Sequence, residues 1–232
     1  MDEEIVNTEI HEYGSDVVMG MPAGQKIKWK ETTCSRKDAT TRVHILEEFE
    51  PTGKQNLKTE DIIEELNKLP NNLRKYVISI ALVPFGHPDQ GCFNRRTGNS
   101  EGVAFASGDS VNRQITIYAI PKERSILKEA LASRFTLAHE IGHIIDGVIQ
   151  KESEFFAYTP KWTKAMCEDT KITHITPDLP YYFVSLNAEK MNSLREDFAD
   201  SVMYFSSNIY NEFLKVDFPN RYKILKEIID GR

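Results

Sequence analysis

Apolar residues recur along this chain at two periods, and the two periods predict different elements. Leu137, Ile141, Ile144, Ile145 and Val148 are spaced by three and four, the spacing of one face of an α-helix. Upstream, Ser125 is a capping residue and Ile126, Leu127, Ala130 and Leu131 continue the pattern with no proline between. One helix is therefore expected over 125–146, with Gly147 as its stop. A shorter helix is expected over 59–69, capped by Thr59 and ended by Pro70. Two amphipathic helices are expected near the end, over 193–206 and 218–229. The stretch 76–84 is nearly continuous in apolar and β-branched residues, which predicts a strand in the middle of a sheet. The segments 102–106 and 114–120 predict two more strands joined across Gly108-Asp109, with Pro121 ending the second.

Elsewhere the pattern is weaker. Segments 16–22, 26–30 and 42–46 predict brief strands in an N-terminal arm of unassigned role over residues 1–55, and residues 56–232 are expected to form one domain. Residues 150–192 lack clear periodicity and are expected to be an irregular connection walling a cleft. The fold class is thus α+β, with a small mixed sheet and a helical C-terminal part.

Composition narrows the function. The chain has 232 residues, 40% hydrophobic and 28% charged, which is globular. A formal charge of −6, with Arg95-Arg96 the most basic patch, argues against a nucleic-acid partner. Cys34, Cys92 and Cys167 are far apart and form no Cys-x-x-Cys, so free thiols are expected. The acidic start Met1-Asp2-Glu3-Glu4 is no signal peptide, and no run reaches 18 apolar residues, so neither a secretion address nor a membrane span is expected; a domain excised from a longer exported protein would look the same. His11, His44 and His87 have no ligand-like spacing and are expected to be ordinary histidines.

The chemistry lies in the predicted helix over 125–146. His139 and His143 are four apart, so one helix face aims two imidazole nitrogens at a single point, a geometry suited to Zn²⁺. Glu140 is turned about 100° from His139, which lets its carboxylate reach a metal-bound water as a general base without ligating the metal. The alternative is that the two histidines are merely polar positions of a core helix. Asp146 lies near the helix C-terminus, where the dipole disfavours a carboxylate. It is expected to have a specific partner, either a backbone amide or the outer shell of the metal site.

A hydrolytic zinc needs a third protein ligand. Glu196 and Asp200 share a helix face, so Glu196 can ligate while Asp200 accepts the N–H of a ligating histidine. Ser193-Leu194-Arg195-Glu196 also fits a capping box, in which Glu196 would return to the Ser193 amide.

His139-Glu140-Ile141-Gly142-His143-Ile144-Ile145-Asp146, followed some fifty residues later by Arg195-Glu196-Asp197-Phe198-Ala199-Asp200-Ser201-Val202, resembles the anthrax lethal factor-like metallopeptidases, the family that includes secreted Pro-Pro endopeptidases. The resemblance covers roughly residues 76–229. It implies a zincin-like catalytic domain with an active-site helix, a C-terminal helical subdomain donating the glutamate, and endopeptidase activity on a protein substrate, as in an exported toxin or effector. The family places a tyrosine seven residues before the ligating glutamate, where its hydroxyl stabilises the oxyanion, but Glu189 stands there and Asn187 occupies the nearest similar context. Tyr182 is the expected substitute, with Tyr181 and His174 as alternatives. An edge strand beside the active-site helix pairs with extended substrate in zinc peptidases. The segment 115–120 is the candidate for that pairing, against the alternative of an interior strand. An intracellular regulatory peptidase acting on a repressor, which the missing signal peptide favours, and a non-catalytic zinc-stabilised binding module remain as other functions.

Overall fold

Six strands form one mixed sheet, and three of them come from the first 48 residues. The computed structural model describes residues 2–19, 21, 23–37, 41–51, 55, 57–85, 106–119, 134–149, 155–172, 191–207 and 210–231. The strands are β1 (Glu4–Gly14), β2 (Lys26–Ser35), β3 (Val43–Glu48), β4 (Ser79–Val83), β5 (Ala106–Asp109) and β6 (Gln114–Tyr118), in the order β1-β2-β3-β4-β6-β5. β3, β4 and β6 run parallel, and the remaining pairs are antiparallel. No break in the sheet falls at residue 55. β3 lies directly against β4, with Ile45 opposite Ile80.

The parallel centre is covered on both faces, as its continuous apolar character requires. On one face Ile45, Ile80, Leu82, Ile115 and Ile117 join the main core with the helices. On the other, Trp29, Leu46, Ala81, Val83 and Tyr118 are closed over by Val18 and Met21. The expected strand over 16–22 is instead a turn across its described residues, with the amides of Val17 and Val18 both bonded to the Gly14 carbonyl. Its apolar residues serve as a plug on the sheet.

Seven helices are present among the described residues: α1 (Thr59–Lys68), α2 (Asn71–Arg74), α3 (Arg134–Val148), α4 (Pro160–Ile172), α5 (Met191–Ser206), α6 (Tyr210–Asp217) and α7 (Pro219–Asp230). Helix α3 lays Leu137, Ile141, Ile144 and Ile145 on the sheet core; each such burial contributes about 1.5–3 kcal/mol, enough to fix which side of α3 faces inward. Thr59 is the first helical residue of α1 rather than its cap; the Lys58 amide is held by Asp61 Oδ2 at 2.8 Å, and the Thr59 hydroxyl donates to Glu47. The expected irregular stretch contains α4, whose only buried apolar residues among those described are Trp162 and Ala165, too narrow a stripe to read as a helix. α6 lies between the two expected C-terminal helices. Among the described residues no helix is long and apolar enough to cross a membrane.

Two expectations about strands are corrected. β5 includes Gly108 and Asp109, so the connection to β6 is the turn over 110–113, which ends on Arg113 at φ 52°. β6 lies inside the sheet between β4 and β5 and is entirely buried. Its polar positions face the N-terminal turn: Gln114 Oε1 accepts the Met19 amide at 2.8 Å, and Thr116 donates to the Met19 carbonyl at 3.2 Å. The sheet edge beside α3 is β5.

The far end of the sheet is anchored by one carboxylate. The Glu3 side chain is fully buried between Arg74, which pairs with it through Nε and Nη2, and Arg36. Arg36 also bonds the carbonyls of Leu66 and Leu69 at the end of α1. Glu3→Gln leaves two buried cations without a counter-charge, and a loss of about 3 kcal/mol is expected in urea unfolding of the metal-free protein. A loss under about 1 kcal/mol would show that water replaces the carboxylate there.

Candidate metal centre

Two helix faces meet at this site, and each presents the same arrangement of residues. On α3, His139, Gly142 and His143 share a face; on α5, Glu196, Ala199 and Asp200 do. Gly142 lies against Ala199 so closely that a β-carbon on it would fall 2.6 Å from the Ala199 Cα. Glycine inside a helix costs about 0.5–1 kcal/mol relative to alanine, and here the close approach of two backbones requires it. That contact carries the histidines to the carboxylate.

Glu196 Oε2 is 3.3 Å from His139 Nε2, and Glu196 Oε1 is 3.5 Å from His143 Nε2. One ligand atom from each of the three residues lies within 4.8 Å of the others, so the group can hold a metal ion. A tetrahedral ion bonded at about 2.0–2.1 Å places its donors about 3.3–3.4 Å apart, close to the two histidine–carboxylate distances, so this donor set suits such an ion. His139 Nδ1 is 2.8 Å from Asp200 Oδ1, which turns Nε2 toward the cluster. The side chain of Glu196 is 53% exposed while those of the histidines are mostly covered, so the site opens on the Glu196 side.

Glu140 is buried, and its Oε2 has no hydrogen-bond partner among the described residues. Burial raises its pKa, although the neighbouring His139 and His143 pull the other way. An orphaned carboxylate oxygen beside a donor cluster is what a proton-accepting base requires. Glu196 is held below the usual carboxylate range: burial opposes its charge, but hydrogen bonds from His139 and His143 outweigh it. For His139, burial disfavours the charged ring, yet hydrogen bonds to Asp200 and Glu196 prevail and raise its pKa well above the ordinary imidazole value.

Asp146 has the two partners expected of a buried carboxylate. Its Oδ1 accepts the Ala157 amide at 2.7 Å, and its Oδ2 accepts from Arg195 Nε at 3.1 Å. Ser193 is the third residue of α5, which begins at Met191, and the Glu196 carboxylate faces the histidines. Tyr182, Tyr181 and His174 lie outside the described residues. Sequence reasoning missed the Gly142–Ala199 contact and the tie from Arg195 to Asp146; the one signal for the first was a glycine in the middle of an apolar helix. The edge strand reaches the same place: a β-carbon on Gly108 of β5 would meet the Glu140 carbonyl at 2.4 Å.

No protein-family model matches the chain, and no curated protein matches it either. Among solved structures, the Pro-Pro endopeptidase PPEP-2 from Paenibacillus alvei matches 80% of this chain and 96% of that chain, at 13% identity and a TM-score of 0.48. A likeness of that size leaves the function to be argued from the side chains.

Gly142→Ala gains about 1 kcal/mol of helix propensity but sets a methyl against backbone, which costs about 1–3 kcal/mol, so net destabilisation and weaker metal uptake are expected. Denaturant unfolding and chelator competition measure both; a more stable variant with unchanged uptake would mean the two helices separate freely. A second expectation concerns pH. A proton must leave His139 before a metal binds, and its pKa is raised, so affinity declines on acidification from a point above pH 6.5. Asp200→Asn should move that midpoint down, as a titration of metal uptake against pH would show.

Proposed function

We propose that this chain is a zinc-dependent endopeptidase that hydrolyses peptide bonds of a protein or peptide substrate bound in extended form. The observation that carries this reading is the meeting of His139, His143 and Glu196, whose ligand atoms lie within 4.8 Å of one another, with buried Glu140 beside them, its Oε2 without a hydrogen-bond partner among the described residues. Two imidazoles and one carboxylate leave a fourth position open, the composition of a hydrolytic zinc site rather than a closed structural one. Zinc bound there supplies Lewis acidity to the scissile carbonyl and acidifies a water molecule.

The chain's own residues do the rest. Glu140 takes the water's proton at Oε2 and delivers it to the leaving amine nitrogen, and burial favours a carboxyl able to hold that proton between the two steps. Asp200 keeps the Nδ1 proton of His139 in place, which fixes the ring and strengthens Nε2 as a donor. Oxyanion stabilisation is assigned to Tyr182. The substrate lies along β5, whose outer edge pairs with no strand among the described residues and which packs against α3 through Gly108. The other edge, β1, is guarded: a register shift between Ile5 and Asn7 distorts it, and Glu4, Glu9 and Glu12 repel a further strand. A non-catalytic module is disfavoured, because such a site has no use for a buried carboxyl with a free oxygen.

Elemental analysis and hydrolysis of a fluorescence-quenched random peptide library test the proposal together. Near-stoichiometric zinc is expected in the wild type and little in Glu196→Ala. Glu140→Ala should keep its zinc while cleavage falls roughly 10²–10⁴-fold. Asp200→Asn should weaken zinc binding roughly 10- to 100-fold. A wild type that takes up no zinc, or a Glu140→Ala variant cleaving within about tenfold of it, would defeat the assignment.

A further inference from the structure

The residues on either side of Glu196 are each held by an ion pair, and the two pairs lead to opposite sides of α5. Arg195 bonds Asp146 on α3 through Nε at 3.1 Å, and its guanidinium carbon lies 3.7 Å from the centre of the Phe155 ring. Asp197 points the other way. Its Oδ1 pairs with Arg221 Nη1 on α7, and its Oδ2 accepts from Trp162 Nε1 on α4 at 3.1 Å. Arg221 is fully buried, and its Nε reaches Asp169 on α4 at 3.2 Å. Asp169 in turn caps the start of α7, accepting the amides of Asn220 and Arg221, each at 3.0 Å.

Ion pairs with a fully buried partner contribute little net stability compared with apolar side chains of the same shape, so two of them flanking one residue call for a role beyond holding the core together. That core has apolar contacts of its own: Phe198 packs edge-on against Trp162 and Phe156, with ring centres 4.7 and 5.6 Å away. Such contacts tolerate a small rotation of the helix. A metal ligand does not, because a rotation of about 20° moves a carboxylate about 6 Å from the helix axis by about 2 Å, the length of a metal–oxygen bond. Glu196 is also half exposed, and the salt bridges it makes are those to the histidines of the site itself. Its direction has to come from the backbone on which it stands.

We propose that Arg195 and Asp197 are positioning residues that set the rotation of α5, through Asp146 and Arg221 respectively, so that Glu196 faces the histidines before any metal arrives. The proposal rests on the metal-centre reading of His139, His143 and Glu196. It gives the C-terminal helix α7 a part in metal binding, although α7 carries no ligand. Both pairs act through helix orientation, so either one alone should be needed.

Chelator competition for zinc on metal-free wild type, Arg195→Gln and Asp197→Asn tests this, with Glu3→Gln as a control that loses a buried ion pair made by no residue of α5. Both α5 variants should bind zinc roughly 10- to 100-fold more weakly, while the control, whose own loss of stability is measured alongside, should stay within about twofold of wild type. Affinities at the wild-type level in Arg195→Gln and Asp197→Asn, with melting temperatures lowered as in the control, would reduce the pairs to structural ties and overturn the proposal. A wild type that binds no zinc would overturn the metal-centre reading, and this proposal with it. Should Asp197→Asn fail to fold, Arg195→Gln decides, since that side chain is 27% exposed and Asp146 keeps the Ala157 amide when it is lost.

Discussion

The contact between Gly142 and Ala199 is the constraint on which the site depends. Helix α3 is fixed to the sheet by its aliphatic stripe, and α5 is fixed to α4 and α7 by aromatic packing and buried charge. Neither attachment sets the distance between the two helices. That distance is set where a glycine lets the backbones touch, and the touching residues lie on the same faces as the two histidines and the glutamate. A cluster whose ligand atoms must agree within a few tenths of an ångström is thereby referred to main-chain atoms, the least adjustable part of either helix.

The residues that could form a metal-binding group were legible in the sequence because their spacing is local. His139 with His143, and Glu196 with Asp200, are each four apart, and helical spacing alone puts each pair on one face. The joining of these faces was not legible. Alternation in 114–118 looked like a strand with one solvated side, but Gln114 and Thr116 are buried and bonded to a turn almost a hundred residues earlier. Nothing near β6 in the sequence announces that cover, so the alternation alone leaves edge and interior strand equally open. Helix α4 escaped for a related reason, since two large contacts by Trp162 and Ala165 are enough to dock it without a continuous stripe.

The two edges of the sheet differ in what they present to an added strand. β1 is long and exposed, and it carries a distortion and acidic side chains. β5 is short and free of both features apart from Asp109, whose carboxylate is engaged by the Val111 amide and by Asn112. Protection has been built where an added strand would only aggregate.

The glycine contact also bears on how such a protein can change over generations. Because the separation of α3 and α5 is measured backbone to backbone, the apolar residues that pack the rest of both helices can be exchanged for others of similar volume without moving the histidines relative to the glutamate. Nearly every core position is free to drift while the reacting geometry stands still. Lineages descended from one ancestor could then share little beyond a handful of polar residues and one small one, and still assemble the same pocket.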